Sequence, residues 1–159
     1  MIVATLVLIL STALFLFYLQ ATCQRILRRE FEQEYFRSIV NANRLEFPSV
    51  RKALEEEYDG PVDYARFRMT LKCDFLALTY LLKNAGNADR RYTREEKFLL
   101  LYFRGVYLLM VARHALGLGE KKALEKLTAI LQYFANIVGQ RVNLVRFGNL
   151  APSDYLLNL

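Results

Sequence analysis

The chain opens on an unbroken apolar stretch and then changes rhythm. Ile2 to Leu19 reads IVATLVLILSTALFLFYL without a charge, and Gln20-Ala21-Thr22-Cys23-Gln24 prolong the uncharged run as far as Arg25. A helix rises about 1.5 Å per residue, so about 20 such residues cross a hydrocarbon layer of about 30 Å. Beyond it the apolar positions recur at helical spacing: Leu27, Phe31, Tyr35 with Phe36, and Ile39 with Val40. This periodicity predicts that the first helix continues out of the membrane to about Val40, amphipathic beyond Cys23.

The first break falls near Asn41 to Pro48. Pro48-Ser49 opens a short helix through Glu57 with Ser49 as N-cap, and Asp59-Gly60-Pro61 carries the turn chemistry that ends it. Val62 to Ala85 reads as a long helix, closed by Gly86 where a left-handed glycine is wanted. Thr93 and Glu96 form a capping box for a helix reaching about Leu116. Gly117-Leu118-Gly119 stops that helix, and a last long one runs from Glu120 to about Arg146. No strand-like alternation of useful length and no internal repeat is visible.

The expected fold is all-α: a single N-terminal transmembrane helix continuing into a cytoplasmic bundle of three long helices plus one short helix. Residues 1–23 read as the anchor and 24–47 as a juxtamembrane amphipathic helix and linker. Residues 48–159 read as the bundle domain with an apolar C-terminal tail. In the first long helix, Phe67, Leu71, Phe75, Leu78 and Leu82 share one face, while Met69, Cys73, Leu76 and Tyr80 share nearly the opposite one. This helix is expected to be covered on most sides, with Cys73 as a small buried hydrophobe. Phe98 to Ala112 is broken only by Arg104, which suits a core helix better than a span and predicts that the Thr93–Leu116 helix is central. The last helix places Leu124, Leu127, Leu131, Phe134, Val138, Val142 and Val145 on one face. Gln132, Asn136, Gln140 and Asn143 form an uncharged amide stripe on the other. Charged residues are depleted at interface cores, so the stripe is a candidate partner surface. The tail residues Tyr155, Leu156, Leu157 and Leu159 are too apolar for a free end and are expected to dock on something.

Short loops favour antiparallel neighbours. A hairpin with its midpoint near Asp89 puts Asp74 across from Arg104 and Lys83 across from Glu95. An unpaired guanidinium inside an apolar helix is costly, so Asp74 and Arg104 are the expected structural ion pair.

Every charged side chain lies C-terminal to the apolar run. Arg25, Arg28 and Arg29 follow the span directly, and cationic flanks stay on the cytoplasmic side. A cleaved signal peptide needs a basic region before the apolar one and small residues at the cut, and neither is present. A lipoprotein signal would want Leu three residues before Cys23 and a small residue just before it, where Gln20 and Thr22 stand. The reading is an uncleaved single-pass anchor in the inner (plasma) membrane, N-terminus outside and C-terminal domain cytoplasmic. Two cysteines fifty residues apart suit a reducing compartment.

Composition narrows the chemistry. With 54% apolar and 24% charged residues among 159, neither a disordered nor a fibrous protein fits. Seven Gly and three Pro are too few for a many-turned β-sandwich. Two Cys and one His leave no ligand set for zinc fingers or iron–sulfur clusters, and no cofactor is expected. P-loop, Gly-x-Ser-x-Gly and His-Glu-x-x-His motifs are absent. His114 stands alone in the last turn of a helix, where positive charge suits the dipole. Glu55-Glu56-Glu57 with Asp59 reads as a solvated face, since consecutive helical residues point about 100° apart.

The net charge of +6 gathers at Arg90, Arg91, Arg94 and Lys97 and again at Lys121, Lys122 and Lys126. Acids interleave with both clusters and no nucleic-acid motif accompanies them, so nucleic acid is not the expected partner. The anionic inner leaflet explains the excess as well. The expected partners are membrane lipid and another protein. The pattern points to a membrane-anchored helical interaction module, an accessory, assembly or scaffold protein on the cytoplasmic membrane face. One alternative is a membrane-tethered regulator binding nucleic acid or anionic lipid through the basic patches. Another is a small-ligand binder or enzyme with an internal polar site near Arg104, using Tyr102, Tyr107 and His114.

Overall fold

The computed structural model describes residues 1–29, 31, 35–56, 63–84 and 92–148, with backbone alone at residues 2 and 144–148. Among these the chain is all-helical, with α1 Ile2–Leu27, α2 Phe36–Asn43, α3 Phe47–Glu55, α4 Tyr64–Asn84, α5 Arg94–Ala115 and α6 Lys121–Gly148. The Asp59-Gly60-Pro61 turn, the Gly86 stop, the Arg90-Arg91 pair and the tail residues Tyr155, Leu156, Leu157 and Leu159 lie outside the described residues.

The first helix does not run on to Val40. It ends at Leu27, and the chain re-forms as α2 only at Phe36, so two short helices precede α4 rather than one. The helical spacing of Leu27, Phe31, Tyr35 and Ile39 is present, but packing overrides it. The Phe31 ring lies 5.3 Å from that of Tyr133 on α6, and Ile39 is buried in the core. The chain leaves the line of α1 in order to lie across α6. α2 closes at Arg44 in a left-handed conformation, φ 51°, which lets Leu45 N–H return to the Val40 carbonyl at 3.1 Å.

α6, not α5, is the central member. Leu124, Leu127, Ile130, Leu131, Phe134, Ala135 and Val138 are all completely buried, and each of the other five helices packs against it. Only part of the expected stripe faces inward, because Val142 is exposed. α5 is apolar all round yet lies at the edge. Leu99, Tyr102, Phe103, Val106 and Met110 are buried, whereas Leu101, Arg104 and Leu108 face outward. α4 also keeps one apolar face open: Met69, Cys73, Leu76 and Tyr80 are exposed. The two helices meet through Phe75 and Phe103, whose rings stack with centroids 3.9 Å apart.

Thr93 caps α5 as its sequence predicts, with Glu96 N–H donating to Thr93 Oγ1 and Thr93 N–H donating to Glu96 Oε2. At the other end Gly117, φ 66°, takes the left-handed position. Gly117 N–H returns to the His114 carbonyl and Leu118 N–H to that of Arg113, which turns the chain into α6.

Gly139 is required for a different reason. A Cβ there would stand 2.5 Å from Tyr35 Cβ and 2.9 Å from the Tyr35 carbonyl oxygen. The backbone leading into α2 therefore lies directly against α6. Gly139→Ala is expected to push this segment off α6 and cost about 1–3 kcal/mol, the usual range for overpacking. Denaturant unfolding of the full chain in detergent micelles checks this; an unchanged midpoint would refute the close packing.

Candidate functional site

Among the described residues three buried polar side chains, Asp74, Asn136 and Glu96, meet the ends of helices, and each does structural work there. Asp74, midway along α4, accepts from Glu46 N–H at 2.9 Å and Phe47 N–H at 2.6 Å. These are the N-cap and first residues of α3, whose own N-cap side chain makes no such bond. Pro48, next in line, has no N–H to offer. The expected Asp74–Arg104 pair is therefore not formed. Asp74 turns inward to α3, while Arg104 stands exposed on the outer face of α5. Ser49 does not cap α3 either; it lies inside the helix. Burial pushes the Asp74 carboxyl above its ordinary pKa, and the two N–H groups pull it back only in part.

Asn136 corrects the amide stripe in the same way. It is buried, and its Oδ1 accepts from Phe36 N–H at 2.9 Å at the start of α2. Gln132 accepts from the Arg51 guanidinium on α3. Gln140 is exposed and Asn143 half-buried. The stripe is uncharged because α2 and α3 of the same chain cover half of it.

The third junction joins three helices. Glu96, buried in the first turn of α5, pairs with Arg141 of α6 while also closing the capping box on Thr93. Arg141 Nη1 donates to the Leu82 carbonyl, near the C-terminus of α4, at 2.9 Å. Close by, Arg29 makes a two-pronged exposed contact with Glu95, at 3.2 and 3.4 Å. Arg25 and Arg28, the other two residues of the flank, are exposed. The missing N-cap side chain before Phe47-Pro48 was a sign that a cap must come from elsewhere; nothing local pointed Arg141 at Glu96.

The residues of the internal polar site do not converge. Tyr107 accepts from Arg68 Nε at 3.2 Å. His114 Nδ1 lies 2.6 Å from Glu120 Oε1, and the His114 ring stacks on Tyr64 with centroids 3.6 Å apart. Tyr102 faces α1 in a groove of about 370 Å3 between α1, α5 and α6. Among the described residues no three of His, Cys, Asp and Glu come together as a metal-binding set. The two cysteines are both free, with Cys23 buried and Cys73 exposed, the reverse of what the apolar pattern around Cys73 suggested.

α1 is long and apolar enough to cross a membrane, and so is α5 by length and composition. They differ in setting. Every side chain of α1 from Val3 to Tyr18 is exposed, and only then do Leu19, Cys23 and Ile26 enter the core.

No family model matches this chain. No curated protein and no solved structure is significantly similar to it either. What the site can do must be argued from its own geometry.

Three outcomes follow from the junctions. Asp74→Ala leaves two N–H groups without an acceptor and is expected to destabilise by about 1–3 kcal/mol. Asp74→Asn keeps an acceptor oxygen and removes a buried charge. A raised folded-state pKa means that Asp74's contribution is complete below its unfolded value of about 3.9 and is lost as pH rises through the folded value. The Asn variant is therefore expected to gain on the wild type as pH rises above about 4, measured by denaturant unfolding. A wild type that instead gains on the Asn variant as pH rises would show that the two N–H groups outweigh burial and would contradict the raised pKa. Arg141→Met alone is expected to cost about 3–5 kcal/mol, and adding Glu96→Gln, which preserves the capping box, to recover part of it. Equal melting of the single and double variants would show that the pair is not coupled.

Proposed function

We propose that the chain is a membrane-anchored helical interaction module, an accessory, assembly or scaffold protein on the cytoplasmic face of the inner (plasma) membrane. The observation that carries this reading is the setting of α1. An apolar helix whose side chains are exposed from Val3 to Tyr18 has no use in water, and its last turns are bolted into the core by Leu19, Cys23 and Ile26. The bundle is thereby fixed to the span rather than tethered by a flexible linker. N-terminus-outside orientation is supported by Arg25, Arg28 and Arg29 following the span with no charge before it. The single-pass reading is supported by the burial of Leu99, Phe103 and Met110 and by Arg104 in mid-helix, which suit α5 to the bundle rather than to lipid.

A protein partner is supported by the open apolar face of α4. Met69, Leu76 and Tyr80 are each more than half exposed, with Cys73 among them. Large side chains in a row on one helix are what helix-in-groove recognition uses.

Cys73 supplies its own test. With Cys23 buried, an impermeant maleimide is expected to leave the chain unlabelled in intact cells and to modify Cys73 once the membrane is opened. Labelling from outside would reverse the orientation. A photo-crosslinker carried on Cys73 in native membranes is expected to capture another polypeptide; a chain recovered only by itself would count against the partner surface.

A further inference from the structure

The outer sides of α4 and α5 form one surface. Both helices pack on α6 through buried residues, Leu71, Leu78 and Leu82 on α4 and Leu99, Phe103 and Met110 on α5. Phe75 stacks on Phe103 and Arg68 Nε donates to the Tyr107 hydroxyl, so the two helices are joined along their flanks. What they turn outward is apolar and cationic together. Met69, Cys73, Leu76 and Tyr80 recur at steps of three and four along α4, and Leu101 and Leu108 are exposed on α5. Lys72 and Lys83 border the first row, Lys97 and Arg104 the second, and all four are exposed. Among the described residues none of these four cations makes a hydrogen bond or ion pair. The acids of the two helices are all engaged elsewhere: Asp74 turns inward to α3, Glu96 is buried on Arg141, and Glu95 meets Arg29.

We infer that this surface takes an acidic amphipathic helix of a partner protein, its apolar stripe on Met69, Leu76 and Leu108 and its carboxylates on Lys72, Lys83, Lys97 and Arg104. The inference rests on the reading of α4's open face as a partner surface and adds the chemistry of what meets it. Large side chains at steps of three and four form a ridge that the grooves of a second helix can receive. A second copy of the chain would set cations against cations with no acid between them. A lipid surface meets a different obstacle. Arg104 stands between Leu101 and Leu108 on α5, so sinking those leucines among acyl chains would bury a guanidinium without a counter-ion. A nucleic acid would meet the cations and leave the apolar row in water. A helix that carries both leucine-like and carboxylate side chains satisfies the two halves at once, and one of its acids can reach Arg104 where a bilayer offers none.

The experiment uses the full chain in native membranes with a photo-crosslinker on Cys73, in the middle of the α4 row, and identifies the adduct by mass spectrometry. The expected adduct is a segment of another protein with apolar residues at steps of three and four and carboxylates beside them. Lys72→Glu with Arg104→Glu is expected to cut its yield by roughly tenfold or more, because like charges then face each other. Both side chains are exposed, so the bundle is expected to keep its fold, as far-ultraviolet circular dichroism reports. Raising the salt from about 0.1 M to about 1 M is expected to lower the yield of the unaltered chain as well. Lys121→Glu with Lys122→Glu, exposed on α6 and outside this surface, is the charge-matched control and is expected to leave the yield unchanged. An adduct with a phospholipid, with a nucleic acid or with a second copy of this chain would overturn the inference. So would a yield untouched by the Lys72 and Arg104 changes. The outcomes also keep the two readings apart. Capture of a neutral or basic segment of another protein sinks only the acidic helix; a chain that captures no other polypeptide sinks the partner surface as well.

Discussion

A bundle that buries its short helices by their ends must find partners for the backbone groups those ends leave open. That constraint organises this molecule. α3 begins in the interior, and Asp74 of α4 takes its first two N–H groups. α2 begins against α6, and Asn136 takes its first N–H. α4 closes beside α6, where Arg141 meets the Leu82 carbonyl, and Glu96 holds Arg141 while capping α5. Three of the four buried polar residues among those described are thus caps, and each ties one helix to the flank or end of another. An unsatisfied buried backbone group costs about 1–3 kcal/mol, so sliding any one helix by a turn would break several such bonds at once. The apolar residues drive collapse, and the caps select one arrangement from the many that would bury the same surface.

This division explains what could be read from the sequence and what could not. Helix positions were legible for α4, α5 and α6, because long periodic stretches with local stop signals need little from elsewhere. The Thr93–Glu96 box was legible because both halves lie within one turn. The partners of Asp74, Asn136 and Arg141 were not, because each belongs to a different helix and no local pattern points across the gap. Asp74 was correctly singled out as a buried acid, but pairing it with the nearest unmatched charge of the next helix overlooked a backbone end as an equally good partner. Arg104 had no need of rescue. An apolar helix at the edge of a bundle can carry an arginine on its outer face.

Apolarity also misled about position. α5 has the more apolar sequence and lies at the edge, while α6, with its amides, lies in the middle. A central helix must touch everything around it, including helix ends, and amides are suited to those contacts because they offer donors and acceptors without the desolvation cost of charge. The stripe Gln132, Asn136, Gln140 and Asn143 stood out in the sequence for its lack of charge. The covering of its first half turned out to be α2 and α3, and the expected continuous first helix had placed the start of α2 elsewhere.

The same substitution of partners bears on α1. Had the first helix continued to Val40, the bundle would hang at the end of a rod, joined to it only by the linker that follows. Ending at Leu27 allows the chain to fold back, and the stripe Leu19, Cys23 and Ile26 then packs α1 against α5 instead. Arg29 adds its contact to Glu95 at the far end of that seam. The exposed part of α1 and the buried part are one uninterrupted helix, so no hinge separates them among the described residues. In the anchored reading, the direction of the span therefore sets the direction of the bundle. In that reading, which faces of the bundle look toward the lipid and which away from it follows from packing rather than from a linker. The open face of α4 would be presented at a fixed angle to whatever meets it.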